Sequence, residues 1–194
     1  NETNYLMQKP QYPLSYHRTN GRPNWVAWRL DSSWIGGAPR QDDYRADPAL
    51  PAGWYQVQDS DYSGSGYDRG HMVPSADRFG SERLNEETFY LTNIVPQTSA
   101  LNQHPWEKLE SHARGQARRG LDVYQIAGVY GLKEMLKGKV AAPTNCWKII
   151  AVVPSGRDEI DGRTRLIAGA MPHEAGIEHG GWGRFRTSIR AIEG

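Results

Sequence analysis

Two short runs of this chain hold residue types that together suit phosphate chemistry. In Gly64-Ser65-Gly66-Tyr67-Asp68-Arg69-Gly70-His71 an imidazole closely follows a carboxylate and a guanidinium. Further on, Asn93 in Thr92-Asn93-Ile94-Val95-Pro96 is followed by Asn102, Glu110 and Arg114. His71 titrates near neutrality in water and is a candidate base. Asn and Glu offer oxygen donors, which Mg²⁺ prefers while it keeps much of its own water shell. Guanidinium groups match anions in charge and shape. A base, oxygen donors and anion-binding groups in one chain point to phosphodiester hydrolysis.

Each of these residues also has a plainer use. Gly64, Gly66 and Gly70 would let a phosphate approach the backbone closely, or they simply make a tight turn. The run has neither the Lys-Ser/Thr ending of a Walker A loop nor the later glycine of a dinucleotide fingerprint. Asp68 could brace local structure by pairing with Arg69 or another cation, and Arg69 could instead meet phosphate. His71 could take a proton from an attacking water. Asn102 and Glu110 lie about 12 Å apart along an ideal helix, too far for a tight coordinating pair. A glutamate leans back toward its helix start, so the spacing suits Asn102 as direct ligand and Glu110 as the group ordering metal-held water. Helix capping by Asn102 and an intrahelical Glu110–Arg114 pair are the competing roles.

The elements that must position these groups follow from patterning. Residues 1–24, rich in Tyr, Pro and Asn, read as an irregular arm, and residues 25–30 as a strand of aromatic and β-branched side chains. The Pro- and Gly-containing stretch through Asp59 should wrap the sheet, with a short strand at 54–57. A further strand is expected at 88–95, leaving at Pro96. From 105 to about 119, Trp106, Leu109 and Ala113 recur at helical spacing and Gly120 supplies a stop. Strands are expected at 123–129, 147–153, 166–171 and 185–189. The fold class is α+β, a mainly antiparallel sheet with flanking helices, and no internal repeat is visible.

Composition sets the bounds. With 194 residues, 38% of them hydrophobic, and with seven Trp and ten Tyr, the chain has apolar surface enough for one substantial domain. A formal net charge of +1 gives no global signal for a polyanion, so local groups decide. Arg114, Arg118 and Arg119 form one basic cluster and Arg184, Arg186 and Arg190 another; each could guide phosphate or be a solvated face. Cys146 is the only cysteine, which excludes an intramolecular disulfide and a cysteine-only zinc knot. Its neighbours Trp147, Ile149 and Ile150 mark it as buried and structural. His173, Glu174, Glu178 and His179 do not match a strong zinc motif and read as an exposed loop. No continuous transmembrane stretch and no signal peptide are recognisable, though a removed signal would leave no trace.

The run Tyr67-Asp68-Arg69-Gly70-His71-Met72-Val73-Pro74-Ser75-Ala76-Asp77-Arg78, then Thr88-Phe89-Tyr90-Leu91-Thr92-Asn93-Ile94-Val95-Pro96-Gln97, then Leu101-Asn102, Trp106, Leu109-Glu110 and Arg114, resembles the DNA/RNA non-specific endonuclease family of the ββα-metal class. Similarity to its cyanobacterial-type branch extends through Pro23-Asn24-Trp25-Val26, Arg40-Gln41-Asp42 and Trp147-Lys148-Ile149-Ile150. The resemblance implies an endonuclease domain at 25–194 with residues 1–24 packed on it. It implies His71 as general base, Asn102 as direct metal ligand and Glu110 as holder of the hydrated ion. Arg40 would stabilise charge on the phosphoryl group with Arg69 nearby, and Asp68, Asn93 and Arg114 would support the site. The implied cofactor is a single Mg²⁺, replaceable by Mn²⁺, whose water protonates the departing 3′ oxygen and leaves 5′-phosphate ends. The implied partners are DNA and RNA, single- and double-stranded, and a protein inhibitor; no membrane is involved and the oligomeric state stays open. Such breadth fits a secreted or periplasmic enzyme, with an intracellular place left open. The alternative is a catalytically weak nucleic-acid-binding protein that keeps the fold, because basic groups can hold a polyanion without aligning a nucleophile.

Overall fold

The computed structural model describes residues 1–157 and 159–194. Its strands are β1 (Tyr5–Gln8), β2 (Pro13–His17), β3 (Arg22–Leu30), β4 (Asp68–His71), β5 (Ile94–Gln97), β6 (Leu121–Tyr130), β7 (Glu134–Leu136), β8 (Val140–Ala142), β9 (Asn145–Pro154) and β10 (Arg165–Pro172). Six of them form an antiparallel sheet in the order β1-β2-β3-β6-β9-β10, while β4 pairs with β5 and β7 with β8. Helices are α1 (Asp59–Tyr62), α2 (Glu82–Glu87), α3 (Ser99–Leu101), α4 (Glu107–Arg118) and α5 (Ile189–Glu193). Among the described residues no helix is long and apolar enough to cross a membrane.

Period-two alternation makes one face of the large sheet the core. Val26, Trp28 and Leu30 of β3, Val123 and Ala127 of β6, and Cys146 and Ile150 of β9 are buried on it. Helix α4 lies over that face. Its buried positions, Leu109, Glu110, Ala113, Arg114, Gln116 and Ala117, recur at three- and four-residue steps, the stripe a helix presents to a sheet. Gly120 follows its end, as expected.

The helical run starts earlier than the sequence indicates. α3 leads into a turn of π-helix at Asn102–Trp106, and α4 follows without a break. Pro105 lies inside that turn. It has no N–H to give to the carbonyl four residues back, and a widened turn accommodates its ring. β4, β5 and this helical run together make a ββα unit, with Asn102 at the widened turn.

Four expectations about elements are corrected. Residues 1–24 are not an irregular arm, because they form β1, β2 and the start of β3, with Tyr12, Leu14 and Tyr16 in the core. The prolines there misled: Pro13 opens its strand, and Pro23 sits opposite Tyr16, where the β2–β3 register shifts and less pairing is demanded. Residues 54–57 form no strand; Trp54 is held instead by Tyr5 and Tyr16, at ring-centroid distances of 5.1 and 6.5 Å. The strand expected at 88–95 is a 3₁₀ turn at Leu91–Asn93 followed by β5, and Pro96 lies within β5 opposite Arg69 rather than at its exit. Residues 185–189 make no strand either. A 3₁₀ turn (Trp182–Phe185) and α5 occupy the region, with a single bridge from Arg186 to Gly169. The strands expected at 25–30, 123–129, 147–153 and 166–171 are all present, each slightly longer.

Gly70 ties β4 to what lies behind it. A Cβ there would fall 2.0 Å from Gln97 Oε1 and 2.5 Å from its Cγ, and Gln97 is fully buried, so its whole side chain would have to move. Gly70→Ala is therefore expected to lower the unfolding free energy by about 1–3 kcal/mol through overpacking. A denaturant melt checks this, and an unchanged midpoint would show that Gln97 has room to yield.

Candidate active site

β4 carries Asp68, Arg69 and His71, and β5 fixes its register by pairing Arg69 with Pro96 and His71 with Ile94. Asn93 locks the chain just beyond. Its Oδ1 accepts from Val73 N at 2.9 Å, and its Nδ2 donates to Val73 O at 3.0 Å and to Thr88 O at 2.9 Å. With its amide spent on backbone and fully buried, Asn93 supports the site by holding the segment after His71, not by touching metal or phosphate.

Arg40, Arg69, His71, Asn102, Glu110 and Arg114 meet in one cleft of about 380 Å³. They come from a loop, a strand and three turns of the helical run, so only the fold brings them together. Gly64 and Gly66 do not line it. They make the turn ahead of β4, with φ of +71° and +81°, the tight-turn role rather than a phosphate cradle.

The His71 ring stands edge-on to Phe89 at 4.9 Å and near Tyr44 at 5.6 Å. Its Nε2 is sealed from solvent with no hydrogen-bond partner among the described residues, which leaves Nδ1 as the nitrogen able to meet water in the cleft. Burial, with a smaller push from the Arg40 guanidinium, lowers its pKa to about 3. The imidazole is thus neutral across the physiological range, with a lone pair to accept a proton. Arg40 is held on three sides. It donates to Asp42 Oδ1 at 2.6 Å, Ser75 Oγ at 2.5 Å and Tyr44 Oη at 3.2 Å, and it lies 5.0 Å from the Phe89 ring centre.

Asp68 and Arg69 do not pair with each other. Neighbours on a strand point to opposite faces, and Arg69 turns to the Asp59 carboxylate while its guanidinium sits 5.4 Å from the Tyr44 ring. Asp68 accepts from Ser99 Oγ at 2.7 Å, Asn102 Nδ2 at 2.9 Å and Gln103 Nε2 at 2.9 Å. Burial raises its pKa, but these three donors outweigh it and hold the carboxyl below its ordinary value. The consequence falls on Asn102, whose nitrogen is committed to Asp68 so that its carbonyl oxygen stays free to act as a donor atom. The Asn102 side chain caps no helix start, because Thr98 does so for α3 and Asn102 stands at the C-terminal end of that helix. A free amide oxygen in a cleft also lined by Glu107 and Glu110 is the hard-oxygen chemistry that Mg²⁺ takes. Among the described residues no cluster of three or more His, Cys, Asp and Glu could hold a metal, so a cation here would rely on that amide oxygen and on its own water.

Glu110 is buried, which raises its pKa against the opposing pull of Lys148 and Arg114. Its Oε1 accepts from Lys148 Nζ at 3.2 Å, while the expected Glu110–Arg114 pair is loose at 4.0 Å. Arg114 is bound more closely by Asp77 at 3.2 Å and Ser111 at 2.9 Å. Sequence reasoning missed Tyr44, Ser75 and Gln103 around the cleft, and Asp77 and Lys148 behind it. Lys148 carried a readable signal, a charge at a core-facing position of an apolar strand.

The other sequence-level candidates lie elsewhere. Cys146 is buried, and burial pushes its thiol up to about 12, the inert structural role. His173 is also buried, correcting its reading as exposed loop, and donates from Nδ1 to Pro143 O at 2.6 Å, whereas His179 is exposed beside Glu178. Arg118, Arg119, Arg184, Arg186 and Arg190 are exposed and do not line the cleft.

Comparison with known proteins bears on this geometry. The family described as DNA/RNA non-specific endonuclease matches residues 1–194. A nuclease of Nostoc sp. (strain PCC 7120) is 46% identical over 194 residues, covering 98% of this chain and 70% of that protein. Human mitochondrial endonuclease G is 31% identical over 204 residues, covering 97% of this chain and 66% of that protein. Among solved structures, a chain of the EndoG/EndoGI complex superposes with a TM-score of 0.84 at 25% identity, over 98% of this chain and 82% of that one. Match to the family along the full length, together with a relative this similar, establishes that the chain belongs to the DNA/RNA non-specific endonuclease family.

Proposed function

We propose that this protein is a Mg²⁺-dependent, sugar-non-specific endonuclease that hydrolyses DNA and RNA and leaves 5′-phosphate ends. The observation that carries the reading is the convergence of a neutral His71, a free Asn102 carbonyl oxygen and Glu110 with three arginines in one cleft. Family membership supports it.

His71 takes the proton from a water aimed in line at phosphorus. Its proton affinity is low in the free protein, partly because Arg40 is near. A phosphate drawn beside Arg40 offsets that positive charge, so the base strengthens as substrate arrives. Arg40, held by Asp42, Ser75 and Tyr44, offers its remaining N–H groups to the phosphoryl oxygens without having to reorganise. Arg69 adds charge alongside. Mg²⁺, or Mn²⁺ in its place, would be held by Asn102 directly and by Glu110 through water, and supplies charge stabilisation at phosphorus and acidified water for the departing 3′ oxygen. Asp68 keeps the Asn102 amide turned the right way round. These groups address phosphate, which DNA and RNA share, so cleavage of single and double strands of either sugar is the expected breadth. The likeness to the EndoG/EndoGI complex supports a protein inhibitor as a further partner. Indiscriminate cleavage suits a secreted or periplasmic place, which fractionation of the producing cells tests.

The reading is tested with matched DNA and RNA, in both strand states, incubated with Mg²⁺. Product from all four supports it, restriction to one sugar sinks the non-specific part, and binding without product favours a binding protein instead. His71→Ala is expected to fold and bind substrate while single-turnover cleavage falls by about 10²–10⁴-fold; near-normal cleavage would remove His71 as the base. Asn102→Ala should weaken Mn²⁺ binding, read by calorimetry, by more than the about 10–100-fold typical of losing a group one layer further from a metal.

Acid stability gives a second handle on His71. The folded state resists protonation to about pH 3, whereas the unfolded chain takes a proton near 6.5. The unfolded state therefore binds more protons between those values, and stability falls as pH drops through that window. His71→Gln should show a shallower acid loss in metal-free melts; an identical slope would mean the ring protonates freely in the folded protein.

A further inference from the structure

Lys148 of β9 is fully enclosed and does not line the cleft. Its ammonium lies 4.4 Å from the Trp106 ring centre and 5.2 Å from that of Trp28, and its one ion pair among the described residues is with Glu110 Oε1 at 3.2 Å. Taking a lysine out of water is unfavourable, and packed apolar side chains commonly replace such buried pairs at no loss of stability. The same sheet face carries Cys146 and Ile150 at neighbouring positions, so an apolar side chain would suit the site. Stability alone gives no reason for a lysine here.

Geometry gives one. Oε1 of Glu110 is held from the interior by Lys148, and Oε2 stands 4.0 Å from Arg114 Nη1, whose guanidinium Asp77 fixes at 3.2 Å. Small rotations of the carboxylate about its terminal bond break the Lys148 hydrogen bond, the closer of its two cationic contacts. The two indole faces in turn confine the ammonium. We propose that Lys148 is a positioning residue of the nuclease site, which anchors Oε1 of Glu110 and thereby sets how that carboxylate faces the cleft and its hydrated cation. This rests on the endonuclease reading and on Glu110's place in it.

A double-mutant cycle tests the proposal, using Lys148→Met, Glu110→Gln and the pair in the full chain, with a thermal melt to establish folding. Lys148→Met is expected to lower Mn²⁺ affinity by about 10–100-fold, the range for losing a group that orients a metal's partner. At saturating metal it should reduce kcat with little change in KM for substrate. In the Glu110→Gln background the added loss should be under about twofold, because a residue acting through Glu110 has nothing left to orient. Lys148→Gln, which keeps an N–H donor without the charge, runs through the same cycle and supplies the answer should the methionine variant not fold. Unchanged Mn²⁺ affinity, or a loss of equal size with and without Glu110, overturns the proposal alone. A silent Glu110→Gln overturns the role given to Glu110 in the endonuclease reading, and this inference with it.

Discussion

Four buried charges between α4 and the large sheet, two of them bordering the cleft, are the constraint on which the rest of this structure depends. Asp77, Arg114, Glu110 and Lys148 are all buried, and each would be costly to leave unpaired. Asp77 accepts from Trp28 Nε1 at 2.9 Å, from Gln125 Nε2 at 3.3 Å and from Arg114, so β3, β6 and α4 meet on one carboxylate. Glu110 joins α4 to β9 through Lys148. Apolar packing of Leu109, Ala113 and Ala117 against the sheet is non-directional and tolerates a sliding helix. The hydrogen-bonded contacts tolerate it less, since they weaken away from their preferred distance and angle. They therefore set where α4 sits, and with it the positions of Asn102 and Glu110.

β4 is fixed from the other side. Asn93 clamps Val73 with both atoms of its amide, and Gln97 fills the space left by the missing side chain of Gly70. His71 lies between these two points and has little freedom to move. Arg78, fully buried, donates to the carbonyls of Asp77 and Arg29 and stacks 4.1 Å from the Trp34 ring centre, bracing the segment that carries Asp77. β4 and the helical run that carries Asn102 and Glu110 are thus anchored by separate polar networks, and the cleft is the gap between them.

This division explains what could be read from the chain beforehand. The helix and four of the long strands were legible because periodicity is a local property, whereas the grouping of His71, Asn102 and Glu110 followed from the family resemblance, since only the fold brings them into one cleft. β1 and β2 were not, since their strand character comes from pairing along β3 and not from composition, and Pro13 and Pro23 suggested loop. Pro96 was read as an exit from a strand, yet a two-stranded ribbon needs fewer backbone donors than a wide sheet and accepts it. The partners of Asp68 and Arg69 were hidden for a related reason. Adjacent residues of a strand diverge, and the groups that bind them, Ser99 and Asp59, are neighbours only after folding.

The arginines of the cleft carry a last consequence. None of the three is an unpaired charge, for Arg40 meets Asp42, Arg69 meets Asp59, and Arg114 meets Asp77 and Glu107. A phosphate entering the cleft would therefore meet guanidinium groups whose charge is already partly offset. Of the five N–H donors of a guanidinium, Arg40 commits three to Asp42, Ser75 and Tyr44, which leaves one on each terminal nitrogen for a ligand. Such a group supplies oriented hydrogen bonds more than raw attraction. That agrees with a chain whose net charge is only +1, and it would let the proposed endonuclease release a cleaved polyanion as readily as it takes one in.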